Sequence, residues 1–141
     1  SVIKFIVARG SHGVIPPFYS LAVAMAAYEM GYLEAAKTII EPTNASRIAL
    51  KKLLAESGMQ HIIGKGYYAF MNVSEYIKAG GLTDSEPLGQ YLAENHGIAI
   101  VPGAFFSPFG ADWIRFSYAT PVERTEGAFK RLVEGLESLK K

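Results

Sequence analysis

Apolar residues recur along this chain at two spacings, one near 3.6 and one of 2, and glycines and prolines mark the places where one gives way to the other. Val2–Ala8 reads as a short helix closed by Gly10, and Gly10-Ser11-His12-Gly13 reads as a loop. Phe18–Met30 predicts a helix ended by Gly31. Leu33–Glu41 continues as helix up to Pro42, which lacks a backbone N–H and should break or kink it. Ser46–Glu56 resumes the helical pattern through Ile48, Leu50, Leu53 and Leu54, with Gly58 as its stop.

The period then shortens. Gln60–Ile63 and Tyr67–Val73 read as strands, and Ala79-Gly80-Gly81 reads as loop. Ser85–Asn95 is an amphipathic helix with Leu88, Tyr91 and Leu92 on one face and Gly97 as its C-terminal residue. Ile98–Val101 and Trp113–Tyr118 are the next strands. Thr120-Pro121-Val122-Glu123 has the form of a capping box with proline at the first helical position. Phe129, Leu132, Val133 and Leu136 then come at helical spacing. The order predicts a single α+β domain over residues 1–141, a small mixed or antiparallel sheet covered by helices.

A length of 141 residues suits one domain with a sizeable core. A net charge of +1 gives no electrostatic case for nucleic acid or an acidic membrane. No cysteine is present, which removes disulfides and thiolate metal sites and fits a cytoplasmic setting. The most apolar stretch, Val14–Ala27, is interrupted by Pro16 and Pro17 and is too short to span a bilayer. Its apolar content exceeds what one helix face needs, which suggests that part of it faces another domain.

Most short constellations carry no chemistry. Gly64-Lys65-Gly66 lacks the longer glycine-framed span of a phosphate loop. His12, His61 and His96 have no ligand spacing, and His96 reads as a helix C-terminal residue that favours the dipole. Glu123 and Glu126 read as carboxylates at a helix start, and Tyr67 and Tyr68 as strand packing. Arg115 is different. It lies in an aromatic and β-branched strand, where alternation puts Ile114, Phe116 and Tyr118 on one face and Trp113, Arg115 and Ser117 on the other. A guanidinium fork matches a carboxylate in bidentate geometry. The strand alone leaves two readings open, an anion site for a substrate carboxylate and an arginine on a solvated sheet face.

The segment around Arg115 settles which reading to pursue. Gly97-Ile98, Pro102-Gly103, Phe106, Gly110 and Trp113-Ile114-Arg115-Phe116-Ser117-Tyr118-Ala119 resemble, without a gap, the carboxyl-terminal signature of class I/II aminotransferases, pyridoxal-phosphate enzymes of the aspartate aminotransferase fold type. Ser107 stands where the family often has glycine. Gly66-Tyr67-Tyr68-Ala69-Phe70-Met71-Asn72-Val73-Ser74 resembles the family's preceding strand, with Lys65 where glycine is more usual. Val2-Ile3-Lys4, Pro16-Pro17-Phe18 and the alanine-rich helix are similar to the stretch just after the family's cofactor lysine.

The resemblance implies that Arg115 holds the α-carboxylate of the amino-acid or 2-oxo-acid substrate. It also implies one long helix over Leu33–Glu56, and a homodimeric parent using pyridoxal 5'-phosphate. The family's lysine motif is absent, and the two aspartates, Asp84 and Asp112, are not in the cofactor context. The expectation is therefore the small C-terminal domain alone, inactive by itself, with catalytic and cofactor residues in a large domain outside these residues. Relatives using the same arginine for elimination, decarboxylation or acyl transfer remain open, as does an aminotransferase-like sensor domain of a transcription regulator.

Overall fold

The computed structural model describes residues 17–140. The expectations for Val2–Ala8, Lys4, Gly10–Gly13 and the start of Val14–Ala27 lie outside them. The chain divides into two units, Ser1–Thr38 and Ile39–Lys141.

In the first unit, α1 runs Phe18–Glu29, with Met30 as its C-cap and no buried residue. Gly31 comes next at φ +71°, the left-handed conformation that stops a helix where a side chain would be strained. The next helix, α2 (Tyr32–Ser57), is continuous through Pro42, so the predicted break is corrected and the single long helix stands. Proline removes one backbone bond. Around it, the Thr43 hydroxyl donates to the Ile39 carbonyl at 2.8 Å and the Ser46 hydroxyl reaches the Pro42 carbonyl at 3.2 Å.

In the second unit, Leu50 and Leu54 of α2 are fully buried. The strands are β1 (His61–Ile63), β2 (Tyr68–Asn72), β3 (Val101–Pro102) and β4 (Trp113–Ser117). They form one sheet in the order β1-β2-β4-β3, and every pairing is antiparallel. Between them lie α3 (Ser74–Ala79) and α4 (Ser85–His96), and α5 (Val122–Ser138) closes the chain. The helix α3 takes in Ala79, the first residue of the expected Ala79-Gly80-Gly81 loop. Its short turn is set by the Val73 carbonyl, which accepts from both Tyr76 and Ile77 N–H groups at 3.0 Å.

One face of the sheet is core. Ala69, Met71, Ile114, Phe116 and Tyr118 pack with Leu88 and Leu92 of α4 and with Phe129, Leu132 and Leu136 of α5. A Cβ on Gly135 would lie 2.6 Å from Leu92 Cδ2, so glycine lets α5 approach α4 closely.

The helix starts show one departure from expectation. Asp84 caps α4, its Oδ1 accepting from Glu86 N–H at 2.7 Å. The capping box at α5 does not form. Pro121 is itself the N-cap, which leaves Thr120 one position too early. Its hydroxyl pairs instead with the Thr125 hydroxyl at 3.0 Å, and its carbonyl accepts from Ser46.

The strand expected at Ile98–Val101 is also shorter. The N–H of Ile98 closes the end of α4 on the Leu92 carbonyl, and pairing with β4 begins only at Val101.

Candidate functional site

The face of the sheet opposite the core carries Arg115. In register it stands opposite Phe70 of β2 and Val101 of β3. Its strand neighbours Ile114 and Phe116 are buried, and Arg115 itself is half-buried, as alternation requires. The guanidinium carbon lies 4.2 Å from the centroid of the Tyr68 ring and 5.2 Å from that of Phe106. Phe70 stacks on Trp113 at 5.7 Å and 14°, and meets Phe106 edge-on at 6.0 Å and 64°. Two rings thus face the cation, and Phe70 links one of them, Phe106, to Trp113.

This arrangement has a chemical consequence. The guanidinium carbon stands over both ring faces in cation–π contact. A guanidinium carries five N–H donors in a fixed planar fork. Aromatic walls offer the cation attraction without supplying a carboxylate that would compete with a ligand. Among the described residues the ion pairs are Lys37–Glu34, Lys52–Glu56 and Lys140 with Glu75 and Glu137, so no carboxylate holds Arg115.

Phe106 reaches the arginine because the loop after β3 folds tightly. Residues Gly103–Phe105 and Pro108–Gly110 each form a single 3₁₀ turn. The two glycines face one another across the loop. A Cβ on Gly103 would lie 2.3 Å from the Gly110 carbonyl oxygen and 2.6 Å from that of Trp113, and a Cβ on Gly110 would meet the Gly103 carbonyl oxygen at 2.3 Å. Only glycine permits that approach. Ser85, fully buried, ties both ends of the loop. Its N–H donates to the Ala111 carbonyl at 2.8 Å, and its hydroxyl accepts from Ala104 N–H at 3.2 Å. Ser107 sits at φ −171°, extended backbone open to any residue, so the serine there does not disturb the loop.

Sequence reading identified Arg115 and its face, and it placed Trp113 and Ser117 beside it. Trp113 in fact stacks on Phe70, and the Ser117 oxygen accepts from Ala119 N–H at 3.5 Å. The immediate walls, Tyr68 and Phe106, were read as packing and as a loop element. Their signal was there in the alternation of β2, where Ala69 and Met71 point inward and Tyr68 and Phe70 therefore point to the arginine side. Ser85 carried no sequence signal, since its partners are distant in the chain.

The remaining candidates are structural. His61 Nδ1 sits 2.8 Å from the Met59 carbonyl oxygen, and the His96 ring packs on Tyr91 at 5.6 Å. Glu123 and Glu126 are exposed. Tyr67 is exposed and packs edge-on to Tyr68 at 6.4 Å. Among the described residues no cluster of His, Asp and Glu could hold a metal, and no helix is long and apolar enough to cross a membrane.

Known proteins resemble this chain as a whole. The family described as aminotransferase class I and II matches residues 6–132. An aspartate aminotransferase of Pyrococcus horikoshii is 32% identical over 95 residues, covering 67% of this chain and 23% of that protein. An aspartate aminotransferase of Pyrococcus abyssi is 30% identical over 124 residues, covering 87% and 31% respectively. The crystal structure of an aromatic aminotransferase from Pyrococcus horikoshii superposes with a TM-score of 0.64 at 27% identity, over 77% of this chain and 28% of that one. The chain thus spans about a quarter to a third of the length of these relatives.

Proposed function

The chain belongs to the class I and II aminotransferases, and on that premise we propose that it is the small C-terminal domain of a pyridoxal-phosphate-dependent enzyme that moves an amino group between an amino acid and a 2-oxo acid. In this reading Arg115 binds the substrate α-carboxylate. The observation that carries it is the state of the guanidinium, which is faced by Tyr68 and Phe106 and free of any carboxylate among the described residues. A fork so held costs little reorganisation when a carboxylate arrives, and it fixes where the Cα of the substrate stands.

The described residues do not fit the cofactor itself. No lysine lies on β2, β3 or β4. Asp84 is used as a helix cap, and the exposed Asp112 offers its carbonyl to Val73 N–H at 2.8 Å. When bound, pyridoxal phosphate supplies the electron sink for the α-carbon, and the residues holding it belong to a larger domain. This domain binds and orients the substrate. It does not transfer the amino group alone. The intact enzyme is a homodimer working in the cytoplasm.

The test is an amino-transfer assay on the full-length protein, with a panel of amino-acid donors and one 2-oxo-acid acceptor. Appearance of the new amino acid with equimolar loss of the donor is the expected result. Conversion of donors to elimination or decarboxylation products without transfer would overturn the reaction class.

A further inference from the structure

A second groove lies at the edge of the sheet, away from the aromatic face. The register pairs Val101 with Arg115, so continued pairing would set Ala99 against Ser117. Pairing stops first, because Ile98 N–H is taken by the Leu92 carbonyl at the end of α4. The gap is a groove of about 570 Å³, floored by Ile98, Ala99, Phe116 and Ala128. Arg124 and Arg131 of α5 both line it. Among the described residues neither has a carboxylate within ion-pair distance.

Two arginines of α5 thus line one groove. Arg131 Nη1 lies 3.9 Å from where a Cβ on Gly127 would stand, so its head folds back toward Gly127. Gly127 is one turn from Arg124, about 4.5 Å along the helix axis. Glycine inside a helix is unfavourable, and packing does not require it here, since an added Cβ would touch only the movable tip of Arg131. What glycine does provide is an open floor between two cations. The Ser117 and Thr120 side chains line the same groove, and the Ser117 hydroxyl has its proton free to donate. Glu123 also lines it and offsets one charge, leaving a net +1. That residual positive charge favours an anion. The space left over an apolar floor suits an organic remainder.

We propose that this groove binds a small phosphate monoester, its phosphoryl oxygens shared between Arg124 and Arg131 and its organic part resting on Phe116 and Ala128. Guanidinium groups match phosphate oxygens in bidentate geometry. The site is distinct from Arg115, so it is occupied independently of the substrate carboxylate.

Titration calorimetry of the full-length, cofactor-loaded protein in chloride buffer tests this, with glycerol 3-phosphate, inorganic phosphate and succinate as probes. Saturable glycerol 3-phosphate binding is expected. It should weaken at least about tenfold in Arg124→Ala and in Arg131→Ala, and stay within a few fold in Arg115→Ala and Gly127→Ala. Gly127→Leu, which fills the floor, should abolish it while the circular dichroism melt shows the fold intact. The ester should bind tighter than free phosphate, and equal binding would overturn the assignment of the apolar floor to an organic part. Binding that survives both arginine substitutions, that is lost in Arg115→Ala, or that succinate matches in affinity would overturn the proposal. So would failure to saturate at millimolar ester.

Discussion

Replacing Gly103 by alanine should be among the most damaging single-methyl additions in this protein. The new Cβ would stand 2.3 Å from the Gly110 carbonyl oxygen and 2.6 Å from that of Trp113, with the Phe70 ring at 3.1 Å. Two of these atoms are backbone in a loop whose ends are tied by Ser85, so they cannot rotate away. Overpacking of this kind costs about 1–3 kcal/mol, and the rigid surroundings put Gly103→Ala near the upper end. Gly135→Ala is the contrast. Its Cβ would meet Leu92 Cδ2 at 2.6 Å and the His96 ring at 3.0 Å, side-chain ends that can shift, so its cost should be smaller. Urea unfolding followed by tryptophan fluorescence measures both, and Trp113 is the only tryptophan. Because Gly103→Ala and Gly110→Ala break the same contact, the double variant should lose less than the sum of the singles. A Gly103→Ala variant within about 0.5 kcal/mol of the wild type would refute the close approach of the two glycines.

Two further outcomes concern other parts of the fold. Tyr76 is buried with its hydroxyl on Glu137 at 3.0 Å, and burial, with that carboxylate behind it, pushes its pKa up from 10.0 to about 12. The folded state therefore keeps a proton that the unfolded chain loses, so stability present below pH 10 should fall between pH 10 and about 12. Unfolding free energies across that range should show this loss, and Tyr76→Phe should lack it. Pro42→Ala should raise stability by roughly 1–3 kcal/mol, since it restores a helical hydrogen bond at an exposed site. A stability loss there would mean that the proline is needed for the path of α2.

Elements with a strong local signal were legible in advance. The amphipathic spacing of Leu88 and Leu92, followed by Gly97 at φ +59°, fixed α4 to within a residue. Alternation around Arg115 assigned its face correctly. What failed depended on competition for backbone groups. Thr120 had the right type and spacing for a cap, but Pro121 took that position and Ser46, far along the chain, took its carbonyl. Ile98–Val101 had strand composition, yet its first N–H was claimed by the end of α4. Pro42 looked like a stop, and α2 continues through it to the buried Leu50 and Leu54. The aromatic residues on the face of Arg115 come from two separate segments, β2 and the loop after β3. Only the strand register and the folded loop bring Tyr68, Phe70 and Phe106 to it.

The central claim is that Arg115 holds the substrate carboxylate, and steady-state kinetics of Arg115→Ala and Arg115→Lys in the full-length enzyme test it most directly. Removing one partner of a buried, hydrogen-bonded charge pair costs about 2–5 kcal/mol, or roughly 30-fold to several-thousand-fold in kcat/KM. Arg115→Lys should fail nearly as badly, because an ammonium keeps the charge but not the planar fork that lies on Tyr68 and Phe106. The loss should fall equally on amino-acid and 2-oxo-acid substrates, which share the carboxylate, while cofactor absorbance stays unchanged. An Arg115→Ala enzyme with kcat/KM within a few fold of the wild type would contradict the account and leave Arg115 an ordinary residue of the sheet face.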